Sequence, residues 1–407
     1  MNKARVWRTG ALVLLVTIAA AVALTRVPSA SQSRTATVAT GFRDRADRDV
    51  QIRVWRQALD ADSVSAIALG QLAALHLQRA REGGSNEDYV QAERYARRSL
   101  SLRTQRNANT AATLVSILLA QHRFTEARAA AQSLVVREPD VPEYRAALGE
   151  VAMELGDDAL AERMFRSVWS DRGSLTIAAR LARWMELTGR VPEARRLLID
   201  ARAAAMARRD VPSETKAWFA LRVGDLELRA GRLRAAADAF TAGLDVEPGD
   251  PRLMSAMARL AAANEDHADA IRWGEQAIGQ QLDPATLGLI GDAYAAQGDS
   301  AKAAEYFSTL EVAVSMQPGA YHRAWSLYLL DHDLRVPEVL AKAEAELAER
   351  KDVYGWDVYA WALQKAGRRT DAQAAMRQAL RLGTPDPLLR DHARRIGVPD
   401  ALVARGE

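Results

Sequence analysis

From about residue 45 onward, apolar positions recur three and four apart, and no stretch alternates apolar and polar residues in the rhythm of a half-buried strand. The pattern predicts helices throughout, and their punctuation repeats. Counted from Ala217, Gly224 stands at position 8, Gly231 at 15, Ala236 at 20, Phe240 at 24, Leu244 at 28 and Pro248 at 32. Small residues at 8 and 20 let two antiparallel helices approach closely, and glycine at 15 serves the turn as a helix C-cap. A bulky residue at 24 fills the gap toward the neighbouring unit, and proline at 32 stops the second helix.

The same spacing recurs along the chain, the mark of a repeat array. Counted from 142 it meets Leu148, Gly149, Gly156, Ala161 and Phe165; from 284, Ile290, Gly291, Tyr294, Gly298, Ala303 and Phe307. From 353 it meets Trp356, Leu363, Gly367, Ala372, Ala379 and Leu380, and from 108, Leu114, Leu118, Ala127 and Pro139, with His122 in place of the turn glycine. Unit 251–283 is weaker, and unit 319–352 keeps only its apolar stripe. Arg81–Val90 reads as a ten-residue lengthening of one hairpin, and the second helix of another is extended through residues 197–210. Asp49–Asp62 reads as a lone second helix that starts the stack, and Pro387–Ile396 as a closing helix. The boundaries expected are 1–30 for a leader, 31–44 for a linker, 45–386 for about nine hairpins plus the initial half-unit, and 387–407 for a capping helix and tail.

These residues resemble the tetratricopeptide repeat, whose pattern is Trp or Leu at 4, Leu-Gly at 7–8, Tyr at 11, then Ala, Phe, Ala and Pro at 20, 24, 27 and 32. The run Arg350–Gln364 (RKDVYGWDVYAWALQ) with the residues after it is similar to a subfamily of exported bacterial repeat proteins of mostly undefined function. In that subfamily a His-Ala-Gly opens a further repeat; here His392-Ala393 is followed by Arg394, so the last unit is truncated. The resemblance implies an all-α fold, a right-handed superhelical solenoid of stacked antiparallel helix hairpins in which each unit touches its neighbours. It also implies a concave groove lined by first helices at positions 2, 5, 9, 12 and 13. The candidate partner-binding residues there are Glu150, Arg183, Glu186, Trp218, Asp225, Arg229, Arg259, Asp292, Tyr354, Asp357, Trp361 and Lys365. They mix charge signs and gain aromatics toward the C-terminal end, a composition suited to protein or peptide ligands. Solvated faces and inter-repeat salt bridges would use the same residue types. A tetratricopeptide subset that grips a C-terminal carboxylate uses paired Asn and Lys on adjacent first helices, and that pairing is missing here.

The first thirty residues differ. Lys3, Arg5 and Arg8 precede an uncharged run of fourteen residues, Ala11–Leu24, followed by Arg26, Pro28 and small polar residues. This is the export-signal pattern; a spanning helix needs about 20 apolar residues. The expectation is a cleaved signal peptide and a periplasmic or envelope location. The alternative is an inner-membrane anchor that leaves the array outside the cytoplasm. The leader carries four of the basic residues and no acid, against +3 for the whole chain, so the remainder is near −1. The basic pI of 9.2 therefore belongs to the leader, and no nucleic-acid partner is expected.

The chain has no cysteine, which excludes disulfides, thiol nucleophiles and Cys-ligated metal. It contains no Gly-x-Ser-x-Gly elbow, phosphate loop or His-Glu-x-x-His, and its six histidines are scattered. Asp331-His332-Asp333 sits at an expected turn, where capping and solvation account for it, and Glu87-Asp88 falls in the inserted stretch as surface. The reading is a non-enzymatic scaffold with no cofactor and no metal, an unrecognised enzyme being the remaining alternative.

Overall fold

The computed structural model describes residues 30–83, 86–316 and 323–399, with side chains from Asp44. The leader and the tail beyond residue 399 lie outside the described residues. Every regular element among those described is helical, and consecutive helices pack as antiparallel pairs. Helix α1 (Ala30–Ala61) stands alone at the start. The hairpins follow: α2 (Ala66–Arg81) with α3 (Asn86–Leu102), α4 (Ala108–Ala120) with α5 (Phe124–Arg137), and α6 (Pro142–Leu155) with α7 (Asp158–Ser167). Next come α8 (Leu175–Leu187) with α9 (Val191–Ala207), α10 (Ser213–Arg229) with α11 (Leu233–Val246), and α12 (Pro251–Ala263) with α13 (His267–Gln280). Then follow α14 (Pro284–Ala296) with α15 (Ser300–Ser315), α16 (Arg323–Asp331) with α17 (Val336–Glu346), and α18 (Val353–Lys365) with α19 (Arg369–Ala379); α20 (Pro387–Ile396) ends the stack.

Local chemistry starts and stops these helices where the spacing places them. Asp157, Asp250, Asp266, Asp283, Asp299, Asp352 and Asp386 each accept a backbone N–H of the first turn. Position 15 carries a left-handed residue in unit after unit: Gly156, Gly231, Gly298 and Gly367 have φ of 75°, 69°, 83° and 77°. Where glycine is missing the backbone does the same, with φ of 57° at His122, 59° at Glu265 and 56° at Asp333. Each such non-glycine residue costs about 1–2 kcal/mol, so the stacking geometry overrides the local preference. Phe240, at position 24, packs on Gly224 of its own hairpin as well as filling the seam toward α12; Phe165 meets Gly149 and Phe307 meets Gly291 in the same way.

Two expectations are corrected. Residues 31–44 are helical in α1, where a linker was expected. Between Pro28 and Asp62 nothing as strong as proline interrupts the run, and extending a nucleated helix is far easier than starting one. The insertion at Arg81–Val90 lengthens the helices on both sides, and Asp88 is buried where a surface position was expected. Its carboxylate accepts from Arg79 and lies 2.9 Å from His76 Nδ1, so a paired charge replaces a solvated one.

The array also coils tightly enough for units far apart in sequence to touch. Val353 belongs to the same buried cluster as Met153, Leu181, Phe219 and Leu226, with Tyr354 and Leu382 packed against it. Arg381 Nε donates to Asp158 at 2.6 Å, and Thr384 Oγ1 donates to the Leu187 carbonyl at 2.6 Å. At a second junction Arg45 bonds Glu247 at 2.7 Å, and Asp44 accepts both the backbone N–H and the hydroxyl of Ser213 at 2.8 Å. Hairpin α18–α19 thus closes over α6–α8, and α1 lies beside α10 and α11.

Candidate ligand-binding groove

Against the face expected from positions 2, 5, 9, 12 and 13 of the first helices, α18 packs Val353 and Tyr354. In the middle stretch of that face the protein's own side chains pair. Glu186, 5% exposed, accepts from Arg222 at 2.5 Å and Arg229 at 2.7 Å, with Arg183 at 3.5 Å. Asp225 accepts from Arg259 at 3.0 Å, and Glu150 from Arg180 at 2.6 Å. The guanidinium groups of Arg183 and Arg323 lie 5.3 and 4.9 Å from the centroid of the Tyr354 ring. Trp218 is half-buried and meets Phe219 edge-on at 5.0 Å.

A mixed-charge cavity of about 340 Å³ remains at the closure, bounded by Arg81, His122, Glu150, Glu154, Arg180 and Arg350. Glu154 lies 3.5 Å from Arg350. Burial pushes its carboxyl up to about 7, with Asp352 adding to the effect and Arg350 and Arg183 opposing it.

The C-terminal candidates are likewise engaged. Asp357 is fully buried, 2.7 Å from His392 Nδ1 and 2.6 Å from Arg323 Nη2. Trp361 stacks on His392 with centroids 4.6 Å apart and donates to Asp331 at 2.9 Å; Lys365 bonds Asp333 at 2.9 Å. These pairs bind α18 to α16 and α20. The spacing alone did not reveal them, because each joins helices a whole repeat apart. The sequence signal available was the recurrence of a carboxylate and a histidine one unit apart, Asp357 and His392.

Asp292 behaves differently. It carries no ion pair among the described residues and opens into a groove of about 570 Å³ along α14 and α16. Ala285, Gly288 and Leu289 line it from α14, Leu327, Tyr328 and Asp331 from α16, and Leu388 from α20. His267 and His332 stand at its edge. Partial burial raises the Asp292 carboxyl above its usual range; the Asp331 charge adds to this and His332 opposes it. Asp331 and His332 are exposed at the end of α16 and its turn, as the sequence predicts, and both also border this groove. Gly288 went unnoticed, although it stands at position 5 of its unit.

Among the described residues no cluster of three or more His, Asp or Glu side chains could hold a metal ion. No helix among them is long and apolar enough to cross a membrane, and Ala11–Leu24 lies outside them.

A family model described as tetratricopeptide repeat matches residues 113–168 and 222–285. No curated protein matches the chain. Among solved structures, PilW, described as a type IV pilus biogenesis factor, is 19% identical with a TM-score of 0.42, covering 51% of this chain and 94% of its own. Pseudomonas aeruginosa PilF is 18% identical with a TM-score of 0.41, covering 52% of this chain and 93% of its own. Human IFIT1, solved as a dimer with m7Gppp-AAAA, is 14% identical with a TM-score of 0.48, covering 83% of this chain and 87% of its own.

Proposed function

Since this chain is a tetratricopeptide-repeat protein, we propose that it is a non-enzymatic scaffold of the bacterial cell envelope that holds a segment of a partner protein in its concave groove. The observation that carries the reading is the division of that face. Its middle is closed by α18 and neutralised by internal ion pairs, while the stretch over α14 and α16 stays open. A groove with apolar walls and a few polar groups can take an extended segment by side-chain anchoring. The basic, apolar and small-residue pattern of residues 1–30 supports export.

The test is site-specific photo-cross-linking in intact cells. A photoreactive residue at Ala285, in the groove, should capture a reproducible envelope protein, and one at Val136, 80% exposed and outside the lining, should not. Equal capture at both sites, or none at Ala285, would remove the groove from the function. A second reading, an assembly factor anchored by Ala11–Leu24, rests on that uncharged run and is decided by the N-terminal residue of the mature protein. A start near residue 24 or 32 excludes the anchor.

A further inference from the structure

Gly288 lies in the interior of α14, where glycine costs about 1 kcal/mol relative to alanine. Close packing explains Gly291 and Gly274, whereas Gly279, near the end of α13, also meets nothing within 4 Å. A methyl group on Gly291 would lie 2.5 Å from the Phe307 ring, and one on Gly274 would lie 2.6 Å from Ile290. At Gly288 the nearest atom would be Leu310 Cδ2 at 3.7 Å, an ordinary contact. No neighbouring element requires the missing side chain, yet its absence leaves the groove floor at the level of the backbone. That is the shape needed where another chain approaches closely.

Charge says what approaches. Asp292 lies one helical turn beyond Gly288 and has no ion pair among the described residues. Asp331 faces it from α16 and accepts, among the described residues, from the neutral Trp361 N–H. Among the described residues no Lys or Arg lines the groove; His267 and His332 do. Two carboxylates bordering an apolar groove, Asp292 partly desolvated and Asp331 exposed, with His332 the partly opposing charge, complement a cation carried beside an apolar side chain.

We infer that the groove over Gly288 receives an extended peptide segment of the partner, with an apolar side chain seated against Leu327, Tyr328 and Leu388 and an adjacent Lys or Arg facing Asp292 and Asp331. This rests on the scaffold reading above and adds the chemistry of the partner. The test uses the full chain and four fluorescein-labelled nonapeptides, Gly/Ser throughout except for a central Leu-Lys, Leu-Glu, Leu-Gln or Ser-Lys, with fluorescence anisotropy as the readout.

Leu-Lys should bind at least about tenfold more tightly than Leu-Glu, and Asp292→Asn should reduce that preference about fivefold. Asp292→Lys should reverse it. Gly288→Phe should abolish binding by filling the groove floor, with helix content and melting temperature measured alongside to show that the fold is kept. Ala285→Phe provides a second block. Charge-blind binding that either block removes would overturn the inference and leave the groove reading intact. Binding insensitive to both blocks, or no binding by any peptide, would overturn both.

Discussion

Replacing Glu154 by Gln probes the closure of the superhelix through its pH dependence. Glu154 ends α6 where α18 closes over it, and its side chain is 22% exposed. Arg350 lies 3.5 Å away but also engages Asp352 at 2.9 Å, so one guanidinium serves two carboxylates. Burial, with the Asp352 charge adding to it, pushes the folded carboxyl up to about 7 from an ordinary value of 4.5. Below pH 4.5 both folded and unfolded chains hold the proton, and the group contributes nothing to pH dependence. Between 4.5 and 7 the folded chain retains a proton that the unfolded chain has released, so stability falls as pH rises. Above 7 the loss is complete and amounts to about 3 kcal/mol at 1.36 kcal/mol per pH unit.

Glu154→Gln removes this titration and leaves Arg350 paired to Asp352. For an array of about 360 ordered residues, 3 kcal/mol corresponds to about 4 °C in melting temperature. Part of that loss falls below pH 5, so melting followed by circular dichroism should show the parent chain losing about 3 °C relative to the variant between pH 5 and pH 8. Titration of groups remote from Glu154 cancels in the comparison, while Asp352, Glu150 and Arg350 respond to the lost charge. A difference independent of pH would refute the assignment. A parent chain that gains on the variant as pH rises would mean that pairing with Arg350 outweighs burial.

Other expectations follow from packing and buried pairs. Gly291→Ala drives a methyl group into the Phe307 ring, so urea unfolding should show a net loss of about 1–2 kcal/mol after the gain in helix propensity, whereas Gly288→Ala should gain up to about 1 kcal/mol. Asp357→Ala leaves buried His392 without its carboxylate and removes the carboxylate from Arg323. It should destabilise the C-terminal end by about 3–5 kcal/mol, read as accelerated proteolysis of α18–α20. Thr384→Val deprives the Leu187 carbonyl of its donor across the closure at a cost of about 1–3 kcal/mol, and hydrogen exchange should quicken at the end of α8 and near residue 384.

Much of the local architecture is legible in the residues. Gly231, Ala236 and Phe240 announce a hairpin because a turn, a close approach and a filled gap each admit few side chains. His122 shows the limit of that reasoning. It tolerates a left-handed turn less well than glycine, yet the turn forms there with φ of 57°, held by the helices on both sides. The groove was legible as a set of positions, but the occupancy of those positions was not. Arg183 and Tyr354 were both named as open groove residues, and they meet each other from α8 and α18. Glu186 and Arg229 pair across adjacent first helices, where a mixed-charge face serves internal neutralisation.

By itself the sequence determined an all-α chain of repeated hairpins, the places of its turns and the residues that face inward, because these depend on contacts within one unit of about 34 residues. Only the tertiary structure decided how steeply the stack coils, that α18 seals the middle of the face, and that an acidic groove stays open over Gly288. The reason is geometric. The coil accumulates a small rotation from each interface, so a contact such as Arg381 with Asp158, 223 residues apart, depends on every packing detail between them.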